Sequence, residues 1–180
     1  MANRLRWSGL GCLLVVVAGL AVAGRFMTKI YRLPTASMEP TIGVSDHVLT
    51  WRTHDPARGD IIAFDYPLQP ATMFIKRVAA MPGDTVEIRD KRLLVNGAAV
   101  DEPYVQHADA EIYPRDPRLP EPYRSLDQYG PYRVAPDTFF VLGDNRDRSS
   151  DSRYWGSVPR KNVRGVVTLI LSSKRGFVTP

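Results

Sequence analysis

Ser37 lies in Pro34-Thr35-Ala36-Ser37-Met38-Glu39-Pro40-Thr41, a stretch bracketed by two prolines. Proline disfavours helix in the residue before it, so Leu33 and Glu39 are expected to be extended. A serine placed there, with small neighbours on its N-terminal side, sits on a stiff, irregular loop with its hydroxyl accessible. That is the setting of a nucleophile, and also of an ordinary polar turn. A serine hydroxyl needs a base before it attacks a carbonyl. The chain holds three histidines, His47, His54 and His107, none of them in a polar cluster of evident catalytic form. A serine–histidine–aspartate triad stays open, because its members need not be near in sequence. The other choice of base is a lysine of lowered pKa.

Lys76 meets that need. Met73 to Met81 reads as a strand, and alternation puts Phe74, Lys76, Val78 and Ala80 on one face and Ile75, Arg77 and Ala79 on the other. A lysine between Phe74 and Val78 is expected to lose water, and desolvation lowers the pKa of an ammonium. The same pattern describes an edge strand whose lysine blocks aggregation. The residues alone leave both readings open. After the apolar run Thr138 to Leu142 comes a dense polar loop, Gly143 to Gly156, able to supply hydroxyls that orient the lysine and an ion pair that fixes the loop. There is no HExxH, Walker A or GxGxxG pattern, so neither a metal nor a nucleotide cofactor is expected.

The elements that must position these groups are strands. Asp46–Trp51, Ile61–Tyr66, Thr85–Asp90, Arg92–Val95, Thr138–Leu142 and Val163–Leu171 are β-prone runs separated by turn residues. Asn96-Gly97 is a strong hairpin turn signal, and Asp90-Lys91 offers a second turn. Arg58-Gly59-Asp60 reads as a tight turn rather than an adhesion motif. Between Pro103 and Pro136 no period persists. Residues 98–137 are therefore expected to form a Pro-rich excursion or small irregular subdomain. Ser172 to Pro180 reads as a polar tail.

The chain has 180 residues and a net charge of +5, with its basic residues scattered rather than clustered, which speaks for a membrane surface and against nucleic acid. Its one cysteine, Cys12, excludes an internal disulfide. Trp7 to Gly24 carries no charge, and eighteen helical residues span about 27 Å, close to the thickness of a bilayer core. A retained transmembrane anchor over 7–24 is favoured over a cleavable signal peptide, although Ala21-Val22-Ala23 has the form of a cleavage site. The flanking charges leave its orientation open.

The serine segment, Arg58-Gly59-Asp60-Ile61-Ile62-Ala63-Phe64, Ile75 to Asp84 and Gly143 to Gly156 together resemble bacterial type I signal peptidase (leader peptidase), in the family's order and from Leu33 to Leu171. The resemblance implies a mainly β protein with two antiparallel sheet regions behind one transmembrane helix. Residues 1–6 would be cytoplasmic, 7–24 the anchor and 25–180 the catalytic domain, on the outer side of the cytoplasmic membrane. It implies a serine endopeptidase that removes Ala-x-Ala-type signal peptides from exported preproteins through an acyl-enzyme. Ser37 matches the nucleophile and Lys76 the general base. Thr35 matches the hydroxyl that joins the Ser37 N–H in the oxyanion hole. Ser149 matches a hydroxyl bonded to the lysine, and Asp151 and Arg153 a supporting ion pair. The family often has serine where Thr35 stands and glycine where Ala36 stands, a difference expected to bear on substrate fit. A specialised relative that processes one substrate, such as a conjugative pilus subunit, is the alternative within the group.

Overall fold

Strands dominate wherever β-branched and aromatic residues alternate or run together. The computed structural model describes residues 27–52, 55–119, 125–172 and 174–180. The strands are β1 Thr28–Arg32, β2 His47–Trp51, β3 Ile61–Asp65, β4 Met73–Ala80, β5 Thr85–Arg89, β6 Arg92–Val95, β7 Ala98–Ala99, β8 Tyr129–Arg133, β9 Thr138–Leu142, β10 Val158–Pro159, β11 Val163–Ser172 and β12 Gly176–Val178. A short α-helix, α1 Ser152–Trp155, lies between β9 and β10. The larger sheet runs β1-β2-β11-β3-β4-β9-β10, with β12 also paired to β11; the smaller runs β7-β6-β5-β8. Both sheets are built from antiparallel ladders. The anchor expected over 7–24, the N-terminus 1–6 and His54 lie outside the described residues. Among the described residues no helix is long and apolar enough to cross a membrane.

Both faces of the larger sheet are covered, which is why β3 and β9 read as unbroken apolar runs. Ile61 and Ala63 of β3 pack with Met38, Ile42 and Ile75 on one side. Ile62 and Phe64 pack on the other with Val78, Phe139 and Val141. β9 divides its side chains between two clusters. Phe139 and Val141 belong to that second cluster, while Phe140 and Leu142 meet Val86, Ile88, Leu93 and Val95 of the smaller sheet. The two sheets thus share β9 as a common wall.

The smaller sheet begins as the meander the turn signals predict. Asp90 and Lys91 (φ 48° and 67°) and Asn96 and Gly97 (φ 53° and 81°) take the paired positive φ values of two-residue hairpin turns. The excursion 98–137 opens with β7 and closes with β8, a strand the sequence pattern does not announce. Pro131 gives β8 no donor at its centre, so β8 occupies a sheet edge. At Gly130 (φ 84°) a Cβ would lie 2.5 Å from Val86 O, opposite a register irregularity between Val86 and Ile88. Two departures from the sequence reading concern the larger sheet. β1 lacks an alternating pattern but pairs with β2 over five residues. The tail contains β12. For Lys76, where the residues leave two readings open, the structure gives a buried group: β4 lies between β3 and β9, and although β9 pairs with it only from Arg77 onward, Lys76 is shielded from solvent.

Phe140 is fully buried where the sheets meet. Phe140→Ala is expected to cost about 3–5 kcal/mol in denaturant unfolding; a loss below about 1 kcal/mol would contradict the shared wall.

Candidate active site

The loop from Leu33 to Ile42 is pinned by its apolar members. Leu33 and Met38 are buried on either side of Ser37, and Ile42 N donates to Met38 O at 2.8 Å. Leu33 exchanges backbone bonds with Asp46 and Ser45, at 2.9 and 2.7 Å. Ser37 is thereby carried over β4. β4 pairs with β3 along Met73–Arg77 but with β9 only from Arg77 onward, so Met73 to Lys76 keep one edge open. Ser37 and Lys76, 39 residues apart, meet at this edge with Nζ 2.6 Å from Oγ. Thr35 Oγ1 lies 3.1 Å from the same Oγ. A cleft of about 380 Å³ opens beside them, with Leu33, Pro34, Met73, Phe74 and Ile75 among its walls and Arg148 at its rim.

Lys76 is 4% exposed. Burial pushes its pKa down from the ordinary 10.5 to about 8, Asp151 and Asp144 pull it partway back, and Arg153 pushes it down again. The two acids have little left to offer it, because each is held by an arginine. Arg77 donates to Asp144 through Nε at 2.9 Å and Nη2 at 2.7 Å, donates to Gly59 O at 2.8 Å, and stacks on the Tyr104 ring at 3.9 Å. Arg153 donates to Asp151 through Nε and Nη2, both at 2.9 Å, and to Arg146 O at 2.5 Å. Asp151 is fully buried. Burial alone would raise its carboxyl, but Arg153 and the Gly143 N–H hold it below the usual carboxylate range. It also accepts from the Arg153 N–H at the start of α1. Asp151 and Arg153 therefore form a buried ion pair. Phe74, Tyr66, Phe64 and Trp155 supply an aromatic wall, with Nζ 5.5 Å from the Phe74 ring centre.

Ser149 is buried near this pair, but among the described residues its hydroxyl meets no partner in good hydrogen-bond geometry, and Lys76 Nζ donates to Ser37 Oγ rather than to Ser149. His47 is exposed on β2, and His107 pairs with Asp147 at 3.3 Å; neither bonds to Ser37 among the described residues.

Two residues of the site carry no signal of function by type. Gly143 is the point where the loop after β9 passes the serine loop. A Cβ on it would lie 2.2 Å from Ser149 Oγ and 2.5 Å from Ser37 O. Asn145 bonds to the serine loop through its N–H and its side chain. Both stand in the polar loop that the sequence singles out, yet only the fold reveals what they touch.

A serine hydroxyl held against a buried amine, with a second hydroxyl alongside, is the arrangement of a serine hydrolase whose base is lysine. The chain belongs to the signal peptidase family, peptidase S26, whose family model matches residues 4–172. It is 35% identical to the probable signal peptidase I-2 of Synechocystis sp., over 88% of this chain and 70% of that protein. It is 37% identical to the signal peptidase I of Leptolyngbya laminosa, over 84% of this chain and 72% of that protein. The crystal structure of a signal peptidase I from Enterococcus faecalis V583 covers 64% of this chain and 98% of its own, at a TM-score of 0.50 and 35% identity.

Gly143→Ala is expected to lower kcat about a hundredfold with secondary structure retained, because a Cβ 2.5 Å from Ser37 O must shift the loop that carries the Ser37 hydroxyl, and a misplacement of about 1 Å among reacting groups has a cost of that order. Activity within threefold of wild type, measured on a peptide substrate, would show that the two loops are not packed as described.

Proposed function

We propose that this serine endopeptidase cleaves signal peptides from exported preproteins with Ser37 as nucleophile and Lys76 as general base. The observation that carries the reading is the 2.6 Å contact between Lys76 Nζ and Ser37 Oγ in a buried setting. Neutral Lys76 takes the Ser37 proton as Oγ attacks the scissile carbonyl carbon. The carbonyl oxygen becomes an oxyanion, which accepts hydrogen bonds from the Ser37 N–H and the Thr35 hydroxyl. The tetrahedral intermediate collapses, the leaving amine receives the proton from Lys76, and an acyl-enzyme on Ser37 remains. A water gives a proton to Lys76 as it attacks the ester carbon; the second tetrahedral intermediate collapses as Lys76 returns that proton to Ser37 Oγ, which frees the new carboxyl end and restores the serine and the neutral amine. Asp151 and Arg153 hold the loop in place, and Ser149, the hydroxyl that the resemblance sets against the lysine, is buried in the same loop.

The open edge of Met73 to Lys76 supports binding of the preprotein as an extended strand. Apolar walls at Leu33, Met73 and Ile75 suit the small side chains of an Ala-x-Ala site. The same reading takes residues 7–24 as a single transmembrane anchor, 1–6 as cytoplasmic, and 25–180 as the catalytic domain on the outer side of the cytoplasmic membrane, with 98–137 as a subordinate subdomain. Exposed Ile30, Trp51 and Phe177 on β1, β2 and β12 support contact with the lipid bilayer near that anchor.

Cleavage of a preprotein in detergent tests the assignment. Ser37→Ala and Lys76→Ala are each expected to lose at least about a thousandfold in kcat. Lys76 acts only when neutral, so kcat/KM should be lost as pH falls below about 8 and level off above it. Full activity of Lys76→Ala, or a rate independent of pH between 6 and 10, would overturn Lys76 as base (the range brackets the titration, about two units either side).

A further inference from the structure

Asn145 is 1% exposed in the loop after β9. Its backbone N–H donates to Ser37 O, and its side-chain Nδ2 donates to Ala36 O, each at 3.2 Å. One residue thus grips two successive carbonyls of the serine loop from 109 positions away. The Ala36–Ser37 peptide is trans, and a trans peptide is planar with its C=O and N–H pointing in opposite directions. Whatever fixes the Ala36 carbonyl therefore fixes the direction of the Ser37 N–H. That N–H finds no acceptor among the described residues, although Ser37 is buried. A buried donor left open is costly, and the cost is recovered when a ligand oxygen fills it. The Asn145 amide has one orientation open to it. Reversing it would set Oδ1 against Ala36 O, and in the present orientation Oδ1 is buried without a partner. The residue accepts an unsatisfied oxygen in order to place its Nδ2.

We propose that Asn145 is a positioning residue for the oxyanion hole: by holding the Ala36–Ser37 peptide at its carbonyl, it aims the Ser37 N–H at the oxygen of the tetrahedral intermediate. The proposal rests on the reading of Ser37 as nucleophile. Glu39 N also donates to Ala36 O, at 3.2 Å, but it belongs to the same turn and moves with it. Asn145 ties that turn to a separate element. Its effect grows as negative charge develops on the substrate oxygen, so it acts on the transition state more than on bound substrate.

The test compares wild type and Asn145→Leu in the full chain, on a peptide substrate and with two inhibitors. One is a peptide aldehyde, whose adduct with Ser37 carries an oxygen in the oxyanion position. The other is the same peptide with the scissile amide reduced to CH2–NH, which has no such oxygen. Asn145→Leu is expected to lower kcat about tenfold to a hundredfold, with KM within about twofold and the pH midpoint unmoved. Aldehyde affinity should fall by a like factor and reduced-amide affinity should hold. Asn145→Ala serves as the second variant if the leucine is not accommodated, with the same pattern expected. Unchanged kcat overturns the proposal, as does a loss shared equally by both inhibitors. A wild-type chain that cleaves nothing would instead remove the nucleophile assignment, whereas an active wild type matched by Asn145→Leu removes this proposal alone.

Discussion

An ammonium group in a protein interior loses its hydration and seeks a carboxylate. An amine can serve as a base only if that search fails, and around Lys76, the base we propose, the nearby carboxylates are already engaged. Asp144 and Asp151 are near enough to raise its pKa, yet each is already engaged by a guanidinium, Arg77 and Arg153 respectively. Burial then dominates, and the amine comes within reach of neutrality near physiological pH. Had either arginine been neutral or remote, the freed carboxylate would have drawn the proton back onto Lys76. The buried ion pairs are thus better understood as occupying the acids than as stabilising the fold, since a buried pair gains little net stability over apolar packing.

The rest of the architecture follows from bringing a hydroxyl to that amine without admitting water. β4 supplies the amine from inside the larger sheet, where its neighbour β9 stops short and leaves one edge free. The serine loop fills part of the gap, held by Leu33 and Met38 in the core below and by Asn145 from the side. Gly143 allows the two loops to touch, since any side chain there would collide with Ser37 O and Ser149. The aromatic wall of Phe64, Tyr66, Phe74 and Trp155 keeps the remaining flank apolar. Sheet, loops and wall meet at a single hydroxyl–amine contact.

Much of this is legible in the residues, and the boundary of what is legible has physical causes. β3, β4, β5, β6 and β9 announce themselves because each has a buried face, which imposes apolar spacing on the chain. β8 and β12 do not, because Pro131, Gly130 and Gly176 interrupt the pattern and both strands are short pairings with little to bury. β1 carries exposed Lys29 and Ile30 on one short edge and shows no period. For the site, the proline-bracketed serine and the lysine between Phe74 and Val78 stand out as candidates through local context, which fits an ordinary turn and an edge charge as well as it fits chemistry. Whether Lys76 is an edge charge or a buried amine depends on what covers the part of β4 that β9 leaves unpaired, a long-range fact that spacing along β4 does not encode. Gly143 and Asn145 act through contacts with a loop more than a hundred residues away, so their roles emerge only in the folded chain. The ion pair Asp151–Arg153 is a local i, i+2 contact, and its place in the polar loop makes it readable in advance.

The most direct test of this account is the titration of Lys76 itself. With the amine nitrogen labelled and its chemical shift followed against pH, Lys76 Nζ in the resting chain is predicted to titrate near 8, well below the ordinary 10.5. A midpoint at or above the ordinary lysine value would mean that a carboxylate still holds the proton, and the base at the centre of the mechanism would be lost.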